Sequence, residues 1–110
     1  MTQNEFNKFV EKQLNNISSV LVKKTDEYNL EEDRLGFFKR AGALSGESAA
    51  KALLGMMTKH IVSIYDMVNS GKKYSNEVWL EKCGDAQNYL MLLAALEYEF
   101  NEQQENGKCQ

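Results

Sequence analysis

No proline occurs anywhere in the 110 residues, and glycine occurs only seven times. Proline is the residue that most reliably stops a helix, because its ring removes a backbone N–H and clashes with the preceding turn. A chain without it can form long helices wherever apolar residues recur at the helical spacing. Phe6, Phe9, Val10, Leu14, Ile17 and Leu21 step by three and four. That spacing predicts an amphipathic helix from about Asn4 to Lys24. The polar stretch "TDEYNLEED" breaks the pattern and reads as a connection. "DRLGFFKRAGALSG" then holds Leu35, Phe38, Ala41 and Leu44 at helical spacing, with glycines that shorten the helix.

Ser45 or Ser48 can cap the next helix, and Glu47 lies where a carboxylate suits a helix N-terminus. Ala50, Leu53, Leu54, Met57, Ile61, Ile64 and Val68 predict a long apolar stripe that ends near "NSGKK", with Gly71 as the stop signal. Ser75 or Asn76 starts the last helix, which is predicted to run to about Gln103. Its middle, "YLMLLAALEYEF", is apolar on nearly every side, the pattern of a helix covered all round. One small domain has too few neighbours to do that, so a homo-oligomer, a dimer or higher, is expected. The chain therefore reads as all-α. It is expected to be a bundle of three long helices and one short helix over residues 1–103, with a frayed polar tail at 104–110.

Charge and composition narrow the function. The net charge is −3, so a nucleic-acid partner is not expected, because phosphate-backbone binding needs a basic face. No run approaches the roughly 18 apolar residues of a membrane span, and "MTQNEFNKFVEKQL" has no signal-peptide core. A cytoplasmic protein with no membrane partner is expected. Of the two cysteines, Cys83 falls among apolar positions and Cys109 in the polar tail, which favours free thiols. A single histidine and no CxxC pair argue against a zinc cluster.

No P-loop, GxGxxG or nucleophile elbow is present. Three polar sets remain. Glu81, Asp85, Asn88 and Tyr89, at i, i+4, i+7 and i+8, share a helix face. Carboxylates one turn apart can ligate Mg²⁺, which keeps waters and substrate phosphates in its other positions. A solvated stripe is the plain alternative. Lys59, His60, Ser63 and Asp66 form the second set, with Lys59 suited to phosphate and His60 to a base or carboxylate. Here the alternative is surface charge beside a half-buried histidine. The third set closes the first helix, where Lys24 can face its negative end and Tyr28 can stack on a base. A cap and loop would use the same residues.

Four stretches, "KTDEY", "FFKRAGALSG", "ALLGMMTKHIVSIYDM" and "WLEKCGDAQNYLMLLAAL", together resemble small phage and prophage proteins related to the MazG-like all-α nucleotide pyrophosphohydrolases. The resemblance spans about Lys23 to Glu99 and puts Asp85 at the motif's metal-binding aspartate. The family pattern is EExxE on one helix and ExxD on the next. Here Lys82 stands three residues before Asp85, and the nearest glutamate is Glu81. Lys59 and His60 stand on the preceding helix where acids would be. The resemblance implies a nucleotide-binding scaffold with a reduced acid set. Such a chain would sequester a nucleotide or nucleotide-derived signal without catalysis, as a phage anti-defence protein would. On that reading the contacts are Lys24, Tyr28, Lys59, His60, Ser63, Asp85, Asn88 and Tyr89. The alternatives are an Mg²⁺-dependent nucleoside triphosphate pyrophosphohydrolase, with Glu81 and Asp85 on the metal aided by Asp66 or Glu47, and a helical protein-interaction module.

Overall fold

The computed structural model of the protein describes residues 1–22 and 33–108. Lys24, Tyr28 and Cys109 lie outside the described residues. Four helices and no strand occur among the described residues: α1 (Gln3–Val22), α2 (Gly36–Ser45), α3 (Ala49–Asn69) and α4 (Asn76–Lys108).

Each boundary has a local cause. Thr2 and Glu5 form a reciprocal capping box on α1: the Thr2 hydroxyl accepts from the Glu5 N–H at 3.1 Å, and the Thr2 N–H donates back to the Glu5 carboxylate at 3.4 Å. Ser48 caps α3 by accepting from the Lys51 N–H at 3.1 Å, and Ser75 caps α4 by accepting from the Val78 N–H at 3.2 Å. Gly46, at φ 68°, ends α2 in the left-handed conformation that glycine adopts without strain. α4 continues past Gln103 to Lys108, five residues beyond the expected end. "NEQQE" consists of residues that helices accept readily, and no breaker interrupts it before Gly107.

The core is small. Leu35, Phe38, Leu53 and Leu96 are buried together, and Ala49, Met56, Tyr89, Leu92 and Leu93 pack around them. α2 and α3 thus meet one side of α4, and α1 lies against the opposite side. The apolar stripes are not buried where spacing alone would put them. Leu54, Ile61 and Val68 of α3 are exposed, while Ala52, Leu53 and Met67 are buried. α3 has apolar residues on two sides, and α4 covers only one.

Two contacts fix the α2 side. The turn into α3 crosses α2 at Gly42, where an added Cβ would stand 2.7 Å from the Glu47 carbonyl oxygen and 2.8 Å from Ser48 backbone atoms. The Glu47 N–H also donates to the Gly42 carbonyl at 2.8 Å. Lys39 then bridges Asp33, at 2.6 Å, and Glu99 of α4. Its ammonium, by hydrogen bond, holds the Asp33 carboxyl below its ordinary pKa, and the two carboxylates raise Lys39 above its own.

Two outcomes follow for stability. Gly42→Ala drives a methyl into backbone that cannot turn aside, and calorimetry should show a loss of about 1–3 kcal/mol. Lys39→Met should cost at most about 1 kcal/mol at neutral pH, because all three groups are partly solvated. The lowered Asp33 pKa means its share is present above the ordinary carboxylate range and lost as pH falls through it. The raised Lys39 pKa means its share persists until pH rises past the ordinary lysine range. The melting difference between wild type and Lys39→Met should therefore close in acid, and a difference that widens there would contradict the bridge.

Candidate functional site

α4 carries two working sides. Gly84 faces α1, while Tyr89, Leu92, Leu93 and Leu96 face the α2 and α3 core. Asp85, one residue on from Gly84, is rotated about 100° and stands at the seam between the two layers. Its carboxylate lies 4.0 Å from His60 Nδ1 of α3, beyond hydrogen-bond length. The His60 ring packs on Tyr89 at a centroid distance of 5.1 Å, tilted by 39°. Tyr89 in turn packs against the core. The apolar core thus fixes a phenol ring, the ring fixes the imidazole, and the imidazole faces the carboxylate.

On its other flank Asp85 lines a cavity of about 360 Å³ between α1 and α4. α1 contributes Lys12, Gln13, Asn16, Ile17 and Val20 to this cavity, and α4 contributes Glu77, Leu80, Glu81, Gly84, Asp85 and Asn88. Glu77, Glu81 and Asp85 stand one turn apart in succession, so one wall is a line of carboxylates facing a single lysine. Like charges at that spacing repel, and the arrangement favours a cationic occupant.

The two helices meet at Gln13. This amide is 9% exposed and is the one buried polar residue among those described. Its Nε2 donates to Gln87 Oε1 at 2.9 Å, and an added Cβ on Gly84 would stand 3.3 Å from the same nitrogen. Gln13 Oε1 and Asn88 Oδ1 are buried with no partner among the described residues. An unsatisfied buried acceptor costs about 1–3 kcal/mol, so two beside one cavity, one on each helix, are an expense without a structural return.

The candidate residues are thus distributed unevenly. Asp85, Glu81 and Asn88 share the cavity, and His60 and Tyr89 support Asp85 from behind. Lys59 and Asp66 are exposed on α3, Ser63 is half-buried on α3, and Glu47 lies in the α2–α3 turn. None of these four lines the cavity. The pocket drawn from sequence between the last two long helices is therefore not where this cavity opens, because α3 meets α4 through its packed side. Sequence reasoning passed over Lys12, Gln13, Asn16, Glu77, Gly84 and Gln87. Gln13 did leave a signal. It is the one polar side chain in the run Phe6, Phe9, Val10, Gln13, Ile17, all at helical spacing.

Among the described residues no three His, Cys, Asp or Glu side chains converge as a metal cluster. None of the described helices is long and apolar enough to cross a membrane. Cys83 is a half-buried free thiol. The chain matches no protein-family model, no curated protein and no solved structure.

Gln13 offers a sharp separation of stability from binding. Gln13→Leu removes an orphaned acceptor and leaves Gln87 free to bond water. Thermal unfolding should stay within about 0.5 kcal/mol of wild type or move upward. A loss well above 1 kcal/mol would show that the amide is retained for the fold.

Proposed function

We propose that the chain is a nucleotide-binding protein on a MazG-like helical scaffold, with its ligand in the cavity between α1 and α4. The observation that carries this reading is the cavity itself: the Glu81 and Asp85 carboxylates and the buried, unpartnered Asn88 amide oxygen on α4, with the equally unpartnered Gln13 amide oxygen on α1. A nucleobase has N–H donors that small rotations of the two amides would meet. The phosphates are a different matter, because the wall is acidic and repels a bare polyphosphate.

A divalent cation resolves that conflict. Glu81 and Asp85 supply hard oxygen donors one turn apart, the kind of partial set that suits Mg²⁺ with water and phosphate oxygens completing it. When bound, Mg²⁺ would neutralise phosphate charge and act as a Lewis acid. Everything else is the chain's own work. Glu81 and Asp85 hold charge at the rim, His60 backs Asp85, Gln13 and Asn88 meet the base, and Lys12 faces the phosphates across the cavity. Lys59, exposed on α3, has no part in this arrangement.

The role proposed is sequestration of a nucleotide or nucleotide-derived signal, of the phage anti-defence kind. The carboxylate line Glu77, Glu81 and Asp85 also keeps Mg²⁺-dependent pyrophosphate release as a second reading. Calorimetric titration of nucleoside triphosphates and cyclic dinucleotides, with and without Mg²⁺, tests the proposal. Binding should require Mg²⁺, and Asp85→Asn should weaken it about ten- to hundredfold. Lys59→Ala should bind as wild type does. Pyrophosphate assayed in the same samples separates turnover from storage. If no nucleotide binds under either condition, or if Asp85→Asn binds unchanged, the site is not this one.

A further inference from the structure

The charge on the cavity between α1 and α4 has a shape as well as a sign. Glu77, Glu81 and Asp85 stand at i, i+4 and i+8 on α4, and all three line it. Four residues of helix rise about 6 Å, so the three carboxylates are strung over about 12 Å along the helix axis. Acids so spaced cannot meet on one compact ion, whose oxygen ligands lie within about 2–2.6 Å of its centre. Among the described residues no three His, Cys, Asp or Glu side chains converge. A metal ion therefore reaches at most two of the three acids. A linear cation reaches all of them.

The rest of the lining suits such a chain. Leu80 lies between the first two acids, and Ile17 and Val20 stand on the opposite helix. Gln13, also on the lining, is 9% exposed; its Nε2 is committed to Gln87, and its Oε1 has no donor. Asn88 Oδ1 is in the same state. These atoms are acceptors, and an ammonium group carries only N–H donors. A donor-only ligand would satisfy the buried amide oxygens and the carboxylates together.

We infer that this cavity binds a linear polyamine, its ammonium groups along Glu77, Glu81 and Asp85 and its methylenes against Ile17, Val20 and Leu80. The dimensions agree. An extended carbon chain gains about 1.25 Å per bond, from single bonds near 1.5 Å. Ammonium groups joined by three or four methylenes then stand about 5 to 6 Å apart, close to the rise between successive acids. A triamine with both spacings is about 11 Å long, close to the length of the acidic line. Its ten non-hydrogen atoms, at about 30 Å³ each, the share of a water in the liquid, need about 300 Å³. The cavity holds about 360 Å³. The inference does not rest on nucleotide binding. It makes the polyamine a rival of Mg²⁺ for Glu81 and Asp85.

Calorimetric titration of the full chain with spermidine, in low salt without Mg²⁺ or nucleotide, should give saturable binding. Hexaamminecobalt(III) carries the same triple charge on a compact body and should bind several-fold more weakly. Glu77→Gln with Glu81→Gln should weaken spermidine about tenfold. Glu11 and Glu97 are exposed and outside the cavity lining. Glu11→Gln with Glu97→Gln removes the same charge and should bind as wild type does. Melting temperatures check that both variants fold; if the cavity pair does not, the two ligands on wild type decide. No saturable binding, a cobalt complex bound as tightly as spermidine, or equal losses in the two double variants overturns the inference. Nucleoside triphosphate with Mg²⁺ is titrated in parallel. Spermidine bound without nucleotide binding removes the nucleotide reading and supports this one; nucleotide bound without spermidine binding overturns this one alone.

Discussion

One helix serves two layers, and the rest of the molecule is arranged around that fact. α4 packs Tyr89, Leu93 and Leu96 into the α2 and α3 core and turns Gly84 and the acidic line toward α1. A helix places residues every 100°, so two opposite sides are separated by a seam of residues belonging to neither. Asp85 occupies that seam. The two-sided packing holds a partly exposed carboxylate between a rigid aromatic pair and an open cavity, with no covalent link or strained backbone required.

The two sides differ in chemistry. The core side is close-packed and apolar. The α1 side is joined by an amide, a glycine and a cavity in which Ile17, Val20 and Leu80 alternate with polar and acidic residues. Gln13 makes α1 a weakly attached wall, because one hydrogen bond to a partly solvated glutamine contributes about 1 kcal/mol. The buried core is small, and apolar residues of α1, α3 and α4 remain exposed beside it.

The acidic wall also changes which ligand chemistry is favoured. Read from spacing alone, Lys59 provides a direct phosphate contact without metal. In three dimensions Lys59 points to solvent, and the cavity presents three carboxylates to one lysine. Under the proposed function, an anion would enter such a site only with a cation beside it, so nucleotide binding would require Mg²⁺.

Much was legible in the sequence because it depends on local chemistry. The absence of proline, the three- and four-residue spacing, the caps at Ser48 and Ser75 and the glycine stop act within a few residues of themselves, and they determined an all-α chain with these helices in this order. The pairing of Glu81 with Asp85 is equally local, since one turn of helix brings them together. Which apolar stripe would be buried was not local. α3 and α4 each carry more than one, and the choice of Leu53 over Leu54, or Leu96 over Met91, depends on where the neighbouring helix lies. The same holds for the site. Gln13 and Asn88 are 75 residues apart in the chain, and only the docking of α1 on α4 brings both to the cavity that Asp85 lines. Sequence determined the helices and their local pairs, because hydrogen bonds and caps span one turn; tertiary structure decided the cavity and its charge, because these arise only where separate helices meet.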